Sequence, residues 1–245
     1  MSVSVFGVCS DLGSDIKGSR KGAELLLPYP SKLLCLSNSR SDEDQEDLHI
    51  RQLTEVATHV QAIVVNEIKP LMVGGDHSFT HPVLKVLLAK YPTLHLLHFD
   101  AHTDGNFNKQ VKYKTPKHWD FIYHIKRSHP QIKITHVSSY PTSFLYGRLV
   151  QKPNQIVLDG QDVIYISIDV DCLVRSEMVS TGYPREKGEV GLTFEEILAF
   201  LQTLENRKLI GADLMEFGVE GIIDLDDQAR AKALMSALES VLMRN

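Results

Sequence analysis

The sequence predicts an α/β fold: a three-layer α/β/α sandwich around a mainly parallel central sheet. Two observations carry that prediction. Short apolar runs at residues 3–8, 71–73, 94–99, 163–167 and 209–217 alternate with longer amphipathic stretches. Strands covered by helices on both faces read as near-continuous apolar runs of this kind. Second, polar residues capable of chemistry follow directly after several of these runs, and open α/β sheets bind their ligands beyond the carboxyl ends of the strands. With 245 residues, 43% of them hydrophobic, the chain can bury a large core. No repeat, low-complexity tract or linker interrupts it, so one domain over residues 1–245 is expected.

Taken in order, residues 3–8 read as the first strand, followed by a polar loop containing Gly13, Gly18 and Gly22. That spacing matches neither of the glycine patterns that cradle nucleotide phosphates. The apolar run 33–36, after Pro28 and Pro30, reads as a second strand. Residues 41–69 open with Asp42, Glu43, Asp44, Glu46 and Asp47, acidic groups that suit a helix N-terminus. Leu53, Val56, Val60, Ile63 and Val64 then mark one helical face. Residues 71–73 read as a buried strand ending at Gly74 and Gly75, and 79–90 as a helix that holds Pro82 in its first turn. Residues 105–117 have the composition of an active-site loop; 118–126 read as a helix and 132–137 as a strand. Beyond the strand at 163–167, Thr193 and Glu196 supply a capping box for a helix reaching about residue 204. After the strand at 209–217, Asp226 or Asp227 is expected to cap a last helix that turns Ala229, Leu234, Leu238, Val241 and Leu242 inward.

Composition excludes several functions. The 26 basic and 31 acidic residues give a net charge of −5, which argues against a general nucleic-acid binder. Cys9, Cys35 and Cys172 are far apart, without the spacing of a zinc knuckle or a disulfide frame. No apolar run is long enough to span a membrane, and the N-terminus enters a strand pattern directly, so a cytoplasmic protein is expected.

The chemistry concentrates at residues 94–104. A buried strand there ends in Asp100, His102 and Asp104 at alternate positions, and in extended chain residues two apart point the same way. Like charges about 4 Å apart repel by roughly 4 kcal/mol at an effective dielectric near 20, so converging carboxylates call for a cation. Other strand ends add to the set: His77 after the 71–73 strand, Asp169 and Asp171 after 163–167, and Glu216 on the last strand. Two divalent ions would balance the four aspartates. The donors are mostly oxygen, with two imidazoles and no thiolate, which suits manganese or another six-coordinate ion better than tetrahedral zinc.

Three motifs, GGDHS at 74–78, DAHTD at 100–104 and SIDVD at 167–171, resemble in sequence order the metal motifs of the ureohydrolase family, the arginases and agmatinases. GLT at 191–193, ADLME at 212–216 and the opening GVCSDLGSDIKGSRKGAELL extend the resemblance over nearly the whole chain. It implies an arginase-like fold and a binuclear manganese site. One ion would take His77, Asp100, Asp104 and Asp169; the other would take His102, Asp100, Asp169 and Asp171. It further implies attack of activated water on a guanidinium carbon, metal binding bringing the pKa of water from about 15.7 towards about 7. Asp104 would then pass a proton to the leaving amine, Glu216 would bind the guanidinium, Asn106 would contact the substrate's amino-acid end, and His118 would relay protons.

The resemblance predicts a hydrolase that converts a guanidino group to an amine plus urea, with arginine, free or within a peptide, going to ornithine. Agmatine, formiminoglutamate and other guanidino compounds are the alternatives inside the family. A deacetylase-type single-metal hydrolase and a catalytically silent metal-binding or interaction protein are the alternatives outside it. The partner expected is the small guanidino substrate or an arginine-containing peptide, with no nucleic acid or membrane; the sequence leaves room for a homo-oligomer. Departures from the family pattern border the pocket. They are Val174-Arg175 in place of Asp-Pro, Tyr183 in place of a small Thr, Gly218-Val219 in place of Asn-Pro, and Trp119 in place of the Gly after His118. His95 and His98 read as core or interface histidines, and Cys172 as a small buried neighbour of a ligand.

Overall fold

The computed structural model describes residues 2–27, 32–34, 36, 44–106, 115–140 and 145–245. Among the described residues seven strands form one sheet: β1 (Val3–Gly7), β2 (Lys69–Val73), β3 (His95–Phe99), β4 (Lys133–Val137), β5 (Arg148–Val150), β6 (Val163–Asp169) and β7 (Lys208–Met215). Their order across the sheet is β1-β2-β7-β6-β3-β4-β5 and every pairing is parallel. The alternation of side chains along each strand feeds two cores. Leu71, Val73, Leu97 and Phe99 pack on one face with the helices α1 (Gly22–Leu26), α5 (Phe194–Gln202) and α6 (Leu225–Arg244). Met72 and Leu96 pack on the other with α2 (Gln45–Val65), α3 (Thr80–Lys90) and α4 (Phe121–Ser128). The result is the three-layer sandwich that the apolar runs require.

Helix ends follow local chemistry. Asp44 caps α2, its carboxylate accepting from the Asp47 amide at 2.8 Å; residues 41–43, part of the expected acidic start, lie outside the described residues. Thr193 and Glu196 close the expected capping box on α5, at 3.2 and 2.9 Å. Pro82 sits in the first turn of α3, where its missing N–H has no intrahelical partner to lose. The cap of α6 is Asp224 rather than Asp226 or Asp227: it accepts from both of their amides, at 2.8 and 3.1 Å. Two residues in a row of acidic groups can each look like a cap, and only the extended backbone of Asp224 decides between them.

Two expectations change. The run at 33–36 forms no strand among the described residues; Leu33 makes an isolated bridge with Gly7, and Cys35 is not described. The helix expected at 118–126 begins later, at Phe121, since Lys117 through Asp120 form a turn closed by the Lys117 amide donating to the Asp120 carboxylate at 2.7 Å. The short edge strand β5 and helix α1 carry too few residues for a periodic signal.

The packing also fixes a charge. His49 on α2 is fully buried, its Nε2 3.0 Å from the Ser78 hydroxyl, and burial, with Lys117 and Lys17 adding to it, pushes it down to about 3. A histidine lowered on folding takes up its proton on unfolding, so its contribution is present above about pH 6.5 and is lost as pH falls towards 3. His49→Gln should therefore reduce the pH slope of stability between pH 6 and 4 by up to about 1.4 kcal/mol per pH unit, one proton's worth. Urea titrations across that range test this; an unchanged slope contradicts it.

Candidate metal centre

The carboxyl ends of β2, β3, β6 and β7 converge. Gly74 and Gly75, both with φ near +80°, turn the chain after β2 in a conformation that L side chains rarely adopt. A Cβ on Gly74 would meet the Ala23 backbone. This turn delivers His77 and is tied to β7, the Gly74 amide donating to Leu214 O and the Glu216 amide to Gly75 O. Asp100, Asp104, Asp169, Asp171 and Glu216 are all at most 6% exposed.

Three of the aspartates are anchored in the same way. Asp100 Oδ1 accepts from the His102 amide at 2.6 Å, Asp169 Oδ1 from the Asp171 amide at 2.8 Å, and Asp171 Oδ1 from the Ala101 amide at 2.9 Å. One oxygen of each is thus anchored and the other is aimed inward. His77 Nδ1 lies 3.1 Å from Asp100 Oδ2, 3.3 Å from Asp104 Oδ2 and 3.4 Å from Asp169 Oδ2. His102 Nδ1 lies 3.0 Å from Asp171 Oδ2 and 3.4 Å from Asp100 Oδ1. The six residues read from the sequence as ligands therefore gather as two groups that meet at Asp100. The His102 side chain, about half exposed, faces the open side.

Behind the cluster runs a set of fixed hydrogen bonds. Ser167 Oγ donates to Asp213 Oδ1 at 2.6 Å, while Tyr165 OH and Thr80 Oγ1 donate to Asp213 Oδ2 at 2.7 and 2.9 Å. With its hydrogen spent on Asp213, the Ser167 hydroxyl accepts from His77 Nε2 at 2.8 Å, which leaves the His77 Nδ1 lone pair for the centre. His77 Nδ1, His98 Nε2, Asp100 Oδ2 and Asp171 Oδ2 are buried with no hydrogen-bond partner among the described residues. Buried polar atoms are rarely left so, and inward lone pairs on both nitrogen and oxygen fit divalent cations.

The charge states agree. Burial and then the charge of Asp100 push Asp104 up to about 7. Burial and the charges of Asp171, Glu216 and Asp100 hold Asp169 well above the usual range. His77 moves up although burial opposes its charge, because Asp100, Asp104 and Asp169 outweigh burial. Protons thus occupy the place of cations. Glu216 is separate: its Oε1 accepts from the His77 amide at 3.1 Å and lies 3.2 Å from His118 Nδ1. Burial would raise Glu216 and lower His118, yet their mutual attraction wins, lowering Glu216 and raising His118. The His118 ring stacks on Tyr183, centroids 5.3 Å apart, and Tyr183 also stands 6.0 Å from the His102 ring. Asn106 is set beside this mouth by its amide donating to Trp119 O at 3.2 Å; residues 107–114 are not described.

His95 is a satisfied buried histidine, bonded to Asp162 and Thr135, and Cys172 is fully buried, its thiol pushed up by burial. His98 differs from the core reading: its Nε2 is 3.1 Å from Asp100 Oδ2, and it gathers with His77, Asp100 and Asp104 within 4.8 Å. The alternation that singled out 100, 102 and 104 extends back to 98 on the same strand face. Arg185, 2% exposed, was also not anticipated. It donates to Asp171 O, Val190 O, Ser138 O and the Ser138 hydroxyl, and lies 4.9 Å over the Tyr140 ring. No sequence pattern marks a buried arginine of this kind.

An α/β/α sandwich with imidazoles and aspartates at its parallel strand ends is the ureohydrolase arrangement, and known proteins agree with it. The chain matches the arginase family over residues 1–137 and 133–243. An agmatinase of Blochmanniella floridana is 27% identical over 192 residues, covering 73% of this chain and 60% of that protein. One of Bacillus cereus is 28% identical over 210 residues, 78% of this chain and 69% of that one. In fold, the chain resembles the proclavaminate amidino hydrolase of Streptomyces clavuligerus with a TM-score of 0.78 at 20% identity, over 99% of this chain and 92% of that one. The chain belongs to the arginase family and is a hydrolase of the ureohydrolase type. No described helix is long and apolar enough to cross a membrane.

Because raised carboxyls and His77 hold protons where cations would sit, metal binding near pH 6.5 should release about one to two protons per chain. Calorimetric titration in buffers of different ionisation enthalpy measures this, and binding without proton release contradicts the charge states described.

Proposed function

We propose that the chain hydrolyses the guanidino group of an arginine-derived cation to an amine and urea. The observation that carries the reading is Glu216, a buried carboxylate kept ionised beside the metal cluster and held between the His77 amide and His118. A planar guanidinium is the cation that such an acceptor recognises best. His77, Asp100, Asp104 and Asp169 would hold one divalent ion, and His102, Asp100, Asp169 and Asp171 a second, manganese being the ion that suits oxygen-rich donors with two imidazoles. Bound there, the ions would supply Lewis-acid activation of a water molecule.

The chain's own residues would do the rest. Glu216 orients the guanidinium so that its carbon faces the cluster. Asp104, beside the cluster, would take the proton given up by the activated water and pass it to the departing nitrogen. His118, kept protonated by Glu216, returns protons from the mouth. Asn106 would contact the far end of the substrate. Agmatine leads the candidates, since both relatives named above are agmatinases; arginine, free or within a peptide, follows. Peptide-borne arginine is favoured at one point only, the rim. Tyr183 stacks on His118, and Ile16, 41% exposed, stands beside Gly182, which puts apolar surface next to the site.

Urea release from agmatine, free arginine and an arginine-containing peptide, and formamide release from formiminoglutamate, assayed with manganese added, test the proposal. We expect urea from at least one of the three guanidino compounds, and a fall of about 100-fold in kcat/KM for Glu216→Gln, worth roughly 2.7 kcal/mol of transition-state binding. No product from any compound would mean a silent metal-binding protein instead.

A further inference from the structure

Tyr183 lies on the loop after β6, two residues before the buried Arg185, and that loop is pinned on both sides of it. Ahead of Tyr183, the amides of Val179 and Ser180 each donate to Asp227 Oδ2 at 2.8 Å, and Ser180 O accepts from the Gly218 amide at 2.7 Å. Behind it, the Arg185 guanidinium donates from Nε to Asp171 O at 3.2 Å, from Nη1 to Val190 O at 2.7 Å, and from Nη2 to Ser138 O and Oγ at 2.7 and 2.9 Å. Gly191 makes room for it, since a Cβ there would fall 2.8 Å from Arg185 Nε. The rings form one row. His118 stacks on Tyr183, Tyr183 meets His102 edge-on at 6.0 Å, His102 meets Tyr140 at 6.5 Å, and the Arg185 guanidinium lies 4.9 Å over Tyr140. One end of the row reaches Glu216 through His118, and its middle stands at the half-exposed His102.

We propose that Tyr183 is a specificity-determining residue whose ring receives the carbon chain beside a guanidinium bound at Glu216, and that Arg185 is the positioning residue that keeps the ring there. The role of Tyr183 rests on the guanidino reading above. His118 does not need Tyr183 for its place, because its amide donates to Gly13 O at 3.2 Å and its Nδ1 lies 3.2 Å from Glu216 Oε1. A half-buried aromatic ring beside an ionised carboxylate suits a cation carried on methylenes, the charge going to the carboxylate and the chain against the ring. Arg185 can hold that ring because its planar fork of donors ties the ends of β4 and β6 to its own loop at once, which the single ammonium of a lysine does not reproduce.

The experiment measures kcat and KM for agmatine, free arginine and an arginine-containing peptide on the manganese-loaded chain. The variants are Tyr183→Ala, Tyr183→Phe, Arg185→Lys and the double variant Tyr183→Ala with Arg185→Lys. Hydrogen exchange of residues 174–191 and thermal unfolding accompany them. For a compound that the unaltered chain turns over, Tyr183→Ala should raise KM about tenfold, as when roughly two methylenes lose their cover, and leave kcat within about twofold. Tyr183→Phe should keep the parent KM. Arg185→Lys should speed exchange across residues 182–191 and raise KM roughly fivefold, yet add less than about twofold in the Tyr183→Ala background, because residues that act through one another are not additive. A folded Tyr183→Ala chain with the parent KM would overturn the role of Tyr183, as would a fall in kcat alone, the sign of a merely structural side chain. Full additivity with Arg185→Lys, or unchanged exchange, would overturn the role of Arg185. If Arg185→Lys does not fold, Ser138→Ala, which deletes one acceptor of the fork, takes its place in the same cycle with the same readings. Turnover of none of the three compounds by the unaltered chain would overturn the guanidino reading and the role of Tyr183 with it, while exchange would still decide that of Arg185.

Discussion

Mutual repulsion among buried carboxylates is the constraint around which the rest of the molecule is arranged. Asp100, Asp104, Asp169 and Asp171 meet where water cannot screen them, and two such charges about 4 Å apart repel by roughly 4 kcal/mol even at an effective dielectric near 20. Three of the four spend one oxygen on a backbone amide, two of them two residues along the chain and Asp171 on Ala101 of the neighbouring strand end, which fixes direction without neutralising charge. What remains is a focus of inward oxygens and a His77 lone pair. Protons or cations must fill it.

Holding that focus open requires a frame that does not relax. Asp104, Ser138 and Glu216 have φ of 45°, 71° and 62°, left-handed conformations that cost non-glycine residues free energy and persist where surroundings enforce them. The enforcement is visible around each. The Ile122 amide at the start of α4 donates to Asp104 O. Glu216 is bonded through its own amide to the glycine turn after β2. Ser138 is gripped by Arg185, and its neighbour Ser139 donates to the carbonyls of Asp100 and His102 at 2.9 and 2.7 Å. Arg185 therefore links the loop after β6 to the end of β4. The parallel sheet supplies the coarse convergence, and these ties between neighbouring strand ends supply the tenths of an ångström.

Much of this was legible in the sequence where periodicity and chemistry coincide. Apolar runs gave the strands because a sheet covered on both faces demands them, and the spacing of Asp100, His102 and Asp104 was readable because extended chain repeats every two residues. His98 obeys the same period but was read as core, since a strand interior offers no chemical cue until His136 and the Asp100 carboxylate are seen beside it. Asp213, Tyr165 and Ser167 were invisible for a related reason: their partners lie on other elements, up to 133 residues away in the case of Thr80 on α3. Asp224 could not be told from Asp226 and Asp227 as the cap of α6 because neighbouring acids present the same pattern. Arg185 belongs to a loop without periodicity, and its role depends wholly on carbonyls that the sequence does not order.

The claim that the inward oxygens form a cage for two ions stands or falls on stoichiometry. Native mass spectrometry of the chain, stripped of metal and then returned to manganese, counts the ions directly. Two per chain, falling in step when Asp100 is replaced by Asn, is the result predicted from the sharing of Asp100 between the two ligand groups. A single ion at saturation, or two ions that persist without Asp100, would contradict it.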